Sequence, residues 1–247
     1  MWGPPFWRRR DAMPAPGAMV SRSAVPPAVA GETRAGACGS ARRAAAVYRG
    51  LTGWWPEEVS IHADDDFDRH VFASAIAVAA AGGGAVASRL GLSGVDFGRL
   101  VATRFPGADV LFAPDDGETA PADDEIAMVR ALLLASASRD GEDTAWLAAI
   151  VARRAVEPNH LWEDLGLRER AELSRLLGRH FAPLAARNTR NMRWKRFFYR
   201  TLCETDGIVL CATPVCTACG DFDLCFGEET GESRLARARR GSAAPLS

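Results

Sequence analysis

The chain has 247 residues, 48% of them hydrophobic and 25% charged, with a formal net charge of -1, so it can bury a core and belongs to the soluble globular class. Its longest apolar run, IAVAAAGGGAVA, falls short of the roughly 20 residues a spanning helix needs. No membrane span is expected, and because no apolar signal core follows the N-terminal arginines, export is not expected either and a cytoplasmic location is.

Residues 1–40 are rich in Pro, Ala and Gly and are predicted to be a disordered extension, or an over-long start ahead of Met13 or Met19. Their prolines also break the amphipathic helix of a transit peptide. A helical domain is expected over 41–205. Ala44, Tyr48 and Leu51 share helical spacing, and Gly53 is a plausible stop. DDDFDRHVFASAIAVAAAGGG reads as a second helix with Asp64 to Asp66 at the positive end of its dipole. A third helix has Ser93 as its cap and Pro106 as its terminator.

After an acidic loop, APDDGETAPADDE, the sequence predicts a helical hairpin around RDGED, with Thr144 opening the second helix and Pro158 ending it. Asn159 is the expected cap of the next helix. ELSRLLGRHFAPLAA then places Leu173, Leu176, Leu177, His180 and Leu184 on one face, and NTRNMRWKRFFYRTLC reads as the last helix, with Trp194, Phe197, Phe198 and Leu202 toward the core. The fold class is all-α, a compact helical domain followed by a cysteine-rich loop over 206–228 and a disordered tail over 229–247. No internal repeat is present.

Four of the six cysteines fall in CATPVCTACGDFDLC, as C-x4-C-x2-C-x5-C at Cys211, Cys216, Cys219 and Cys225. Without export a disulfide framework is a poor explanation. Thiolates converging from one short loop repel unless a cation neutralises them, so a metal centre is the natural occupant. Structural zinc sites commonly pair two C-x2-C turns across a dozen or more residues, and only one such pair exists here. C-x4-C-x2-C opens the plant-type iron-sulfur spacing, although there the fourth ligand lies far downstream. Spacing alone favours an iron-sulfur type cluster over zinc, with a metal-free loop as the third reading.

The cysteine run, preceded by NMRWKRFFYRTLC and followed by FGEE, resembles the C-terminal signature of the NifQ family of nitrogen fixation proteins, and WLAAIVARRAVEPNHLWEDLGLRERAELSRLLGRHFAPLAARNTRNMRWKRFFYR looks like the same family. The resemblance runs from about residue 40 to 228. It implies a molybdenum-iron-sulfur protein that supplies molybdenum for assembly of the nitrogenase iron-molybdenum cofactor. It implies Cys211, Cys216, Cys219 and Cys225 as ligands, with Cys203 a weaker candidate. The partners it implies are the nitrogenase iron protein and the cofactor-assembly scaffold, with molybdate or another molybdenum source, and neither nucleic acid nor membrane. Such a protein is a metallocluster carrier and not an enzyme. No phosphate loop or nucleophile motif argues for a conventional catalyst.

Residues 151–200 carry twelve basic and five acidic side chains. Six of the basic ones lie between Arg187 and Arg200 with no acid among them, and could attract molybdate or dock an acidic partner. An ordinary solvated helix face is the commoner explanation. His160 and His180 are possible nitrogen ligands, though structural roles are favoured. Asp221 and Asp223 could offer oxygen ligands but are better read as turn residues. His62 and His70 have no evident site. Two rival classes stay open: a zinc-stabilised nucleic-acid-binding module using the basic helix, and a simple electron-transfer iron-sulfur protein.

Overall fold

A computed structural model describes residues 34–112, 123–205 and 225, which lie within one compact unit. Among the described residues the chain is all-helical, with ten α-helices, one 3-10 turn and no strand. None of these helices is long and apolar enough to cross a membrane.

Helix α1 (Arg34–Thr52) begins ahead of residue 40, the expected edge of the helical domain. It buries Ala44, Tyr48 and Leu51 and packs along α2 (Asp64–Ala81). Helix α2 is the axis of the core. From Val71 to Ala79 every side chain is small or apolar, so this stretch can be enclosed on all sides, while Asp64, Asp65 and Asp66 stay in the first turn against the dipole. Helix α3 (Val86–Leu90) stops at Gly91, whose φ of 69° is left-handed. Helix α4 (Gly94–Arg104) starts where the Ser93 hydroxyl accepts the Asp96 N-H at 3.0 Å, and it ends just before Pro106, as the sequence indicates.

The expected hairpin is α5 (Asp124–Leu134) packed on α6 (Glu142–Ala155). Thr144 does not open α6: the cap is Gly141, and Thr144 is buried with its hydroxyl 3.2 Å from His180 Nδ1. Asn159 likewise does not cap α7 (Leu161–Asp164). His160 occupies that position, and the Asn159 amide donates to Asp164 at 2.9 Å. The segment expected as one helix is broken at Phe181 into α8 (Arg170–His180) and α9 (Ala182–Arg187). Pro183 has no N-H to bond the carbonyl four residues back and its ring would clash there. Even so, Leu173, Leu176, Leu177, His180 and Leu184 all reach the core as expected. The last helix is shorter than expected, α10 (Trp194–Thr205), and residues 188–193 form a turn before it.

Candidate cluster-binding site

Of the four cysteines of the motif, Cys225 is described, whereas Cys211, Cys216 and Cys219 lie outside the described residues, as do Asp221 and Asp223. Cys225 is half-buried against the edge of the core. Its carbonyl oxygen accepts the Arg193 N-H at 2.9 Å, which ties the end of the motif to the N-terminus of α10. Cys203, also half-buried, lies ten residues further along that helix, roughly 15 Å from Arg193 at the α-helical rise.

The backbone that holds Cys225 is itself held by side chains. Asn188 bonds both backbone groups of Met192, accepting from N-H and donating to C=O at 2.8 Å each. Arg170 of α8 donates to the carbonyls of Asn191 and Met192 at 3.1 and 2.9 Å and to the Asn191 amide oxygen at 2.9 Å. Asn191 takes the left-handed conformation (φ 54°), which asparagine tolerates better than most residues. Beyond the turn, Met192, Trp194, Phe197 and Phe198 are buried, with the Trp194 and Phe197 rings edge to face at 5.8 Å.

The basic side chains here divide into two kinds. Lys195 turns inward: its ammonium pairs with the buried carboxylate of Asp164 at 2.7 Å and also donates to the Glu157 carbonyl. Arg200 pairs with Glu204 at 2.7 Å, one turn along. Arg187, Arg190 and Arg196 are exposed. The Lys195 contact was not legible in the sequence, where the residue reads as one more charge on a solvated face.

Two buried histidine-carboxylate pairs join α2 to α8. His180 Nε2 lies 3.0 Å from Asp68 Oδ1, and Arg179 donates to both oxygens of the same carboxylate at 2.9 and 3.0 Å. His70 Nε2 lies 3.2 Å from Glu172, while its Nδ1 is 2.7 Å from the Tyr48 hydroxyl. Burial pushes the Asp68 carboxyl up, but the hydrogen bonds from His180 and Arg179 outweigh it and hold the group below the ordinary carboxylate range. Glu172 is also held low, with burial opposed by His70 and by the Arg168 backbone N-H. Burial pushes the Tyr48 phenol up.

These contacts settle one of the two histidine candidates. Both ring nitrogens of His180 already have partners, so neither is placed to ligate a metal, and His160 sits at the start of α7 with its backbone N-H donating to Glu163 at 3.1 Å. His70, without an evident site in the sequence, belongs to a buried network. Among the described residues no group of three or more His, Cys, Asp or Glu side chains could hold a metal ion. A separate cavity of about 330 Å³ opens beside His70, lined by Thr52, Trp54, Ser60, Asp66 and Arg69 among others, and contains no cysteine.

The family model named NifQ matches residues 71–227, a span that includes all four motif cysteines. A Protein NifQ homolog of Sinorhizobium fredii (strain NBRC 101917 / NGR234) is 40% identical over 188 residues, covering 74% of this chain and 80% of the relative. Protein NifQ of Rhodobacter capsulatus is 42% identical over 164 residues, covering 64% and 87%. Protein NifQ of Azotobacter vinelandii is 46% identical over 106 residues, covering 43% and 54%. No solved structure matches the chain.

Proposed function

The chain belongs to the NifQ family, and on that premise we propose that it carries a molybdenum-iron-sulfur cluster on Cys211, Cys216, Cys219 and Cys225 and donates molybdenum for nitrogenase iron-molybdenum cofactor assembly. The observation that carries this reading is the family match itself, which runs through the complete C-x4-C-x2-C-x5-C motif. In this role the chain is a metallocluster carrier and not an enzyme. The nitrogenase iron protein and the cofactor-assembly scaffold are its partners.

The donor set fits the cargo. Thiolates are soft ligands suited to iron-sulfur clusters, and sulfide-bridged molybdenum is better matched to them than to carboxylates. The cluster supplies a reduced, sulfur-rich setting for molybdenum. The protein's own part is to converge four thiolates and to fix one end of their loop, and the Arg193 hydrogen bond to the Cys225 carbonyl supports that second task. Cys203 is left outside the proposed ligand set; it lies well down α10 from the residue that anchors Cys225.

The test is metal content. Protein purified without oxygen from cells supplied with molybdate is expected to contain molybdenum, several irons and acid-labile sulfide, all lost in a Cys216→Ala, Cys219→Ala variant. Zinc near one per chain without iron or sulfide would replace the proposal with a zinc-held binding module. Iron and sulfide with a reversible redox couple and no molybdenum would replace it with an electron-transfer protein.

A further inference from the structure

The six basic residues between Arg187 and Arg200 are one run in the sequence, but the fold sorts them. Lys195 is neutralised inside by Asp164, and Arg200 by Glu204. Arg193 is half-buried, and its backbone N-H is the donor to Cys225. Arg187, Arg190 and Arg196 remain at the surface, at the end of α9, in the turn and on the first turn of α10, and they bracket Arg193 in the chain.

We propose that Arg187, Arg190 and Arg196 form a docking face for an acidic surface on the protein that receives molybdenum from this chain, an inference that rests on the carrier reading above. Position supports it first. In the chain the arginines lie on either side of Arg193, whose N-H holds Cys225, so they sit within a few residues of the anchor for the end of the cysteine motif.

Rigidity supports it second. An exposed turn needs little internal support, yet this one is fixed by two Asn188 bonds and three from Arg170. A frame set before binding reduces the ordering that association must otherwise supply.

Charge and aromatic placement select the partner's chemistry. Guanidinium groups pair with carboxylates through two parallel hydrogen bonds, and clustered like charges accelerate encounter with a surface of opposite sign. A face for single-stranded nucleic acid would be expected to combine its cations with exposed aromatic rings for base stacking. The aromatics of this element are Trp194, Phe197 and Phe198, which are buried, and Tyr199, which is half-buried. An acidic protein surface is the occupant we assign, with duplex nucleic acid as the competing outcome of the test.

The experiment measures binding of the anaerobically purified full chain to the immobilised cofactor-assembly scaffold from about 50 to 500 mM NaCl, a range over which screening shortens severalfold. The wild type is compared with an Arg187→Glu, Arg190→Glu, Arg196→Glu variant whose helical circular dichroism and metal content are measured alongside. Wild-type binding is expected to weaken with salt, and the variant to bind at least about tenfold more weakly at low salt with helicity and metal unchanged, since charge reversal replaces attraction by repulsion. If reversal unfolds the chain, an Arg187→Gln, Arg190→Gln, Arg196→Gln variant is used, with the same direction expected. No wild-type binding, an affinity untouched by salt, or a folded variant binding as tightly as wild type would overturn the proposal. Duplex DNA bound as tightly as the scaffold at the same salt would overturn it in favour of nucleic acid. A wild type that lacks molybdenum but still binds through these arginines would sink the carrier reading and leave the face standing. One that holds molybdenum yet ignores the reversal would sink the face alone.

Discussion

The carboxylate of Asp68 on α2 accepts the Nε2-H of His180 on α8 across a buried contact of 3.0 Å. Two positions along α2 the pairing is reversed, with His70 supplying the ring and Glu172 of α8 the carboxylate. The two helices are thus held by reciprocal pairs, one shared with Arg179 and one with Tyr48. Such pairs fix how α8 sits on α2, and α8 in turn carries Arg170, which braces the turn ahead of α10.

Both carboxylates are held below their ordinary range, so their contribution to stability is present above the unfolded-state value of about 4 and is lost as pH falls through the lower folded value. Urea unfolding is therefore expected to show stability dropping as the pH is lowered below about 4. Asp68→Asn is expected to destabilise by about 3 kcal/mol at neutral pH, because His180 and Arg179 lose their charged partner. The gap between variant and wild type should shrink in acid. A gap that stays constant from neutral pH to about pH 3 would show that Asp68 is not the titrating group.

Lys195 and Arg196 are neighbours with opposite fates. Lys195→Met leaves the buried Asp164 carboxylate without its cation and is expected to cost about 2 to 3 kcal/mol in chemical denaturation. Arg196→Ala, at an exposed site, is expected to stay within about 0.5 kcal/mol. Equal effects from the two would contradict the inward role of Lys195.

Gly166 has a φ of 74°, and a Cβ built there would lie 2.6 Å from Val78 and 2.8 Å from the Ser74 carbonyl oxygen. Both atoms belong to α2, the enclosed central helix, which cannot recede without disturbing the core. Gly166→Ala is expected to lower stability by about 2 to 4 kcal/mol through backbone strain and overpacking. A thermal melt matching wild type would show that the turn after α7 does not approach α2 this closely.

Cys203 and Cys225 are expected to behave differently. Cys203→Ser should retain molybdenum and iron, whereas Cys225→Ser should lower both, as read by elemental analysis of anaerobically purified protein. Metal lost from the Cys203 variant with its helicity intact would place that residue in the ligand set and contradict its separation from Cys225 along α10.

Features set by near neighbours were legible in the sequence. The Ser93 cap acts three residues away, the Asp64 to Asp66 run answers the dipole of its own helix, and the apolar faces of α1, α8 and α10 follow from period alone. Features set by distant partners were not. Thr144 looks like a cap, but its hydroxyl is taken by His180, 36 positions on. His70 meets Glu172 across 102 positions, and nothing around HisVal in α2 announces a carboxylate from another helix. The break at Phe181 had a local sign in Pro183, which the continuous leucine pattern outweighed. For the candidate site, the cysteine spacing was fully legible and the anchoring of Cys225 by Arg193 was not, since a main-chain hydrogen bond leaves no mark on residue type.

The central claim is donation of molybdenum, and isotope transfer tests it most directly. The chain is loaded with an enriched molybdenum isotope, separated from free metal, and mixed anaerobically with the cofactor-assembly scaffold and the nitrogenase iron protein in the presence of excess ordinary molybdate. Enriched isotope appearing in the scaffold, in step with its loss from this chain, is the expected result. Scaffold that takes up only the ordinary isotope while this chain keeps its own would contradict the donor account.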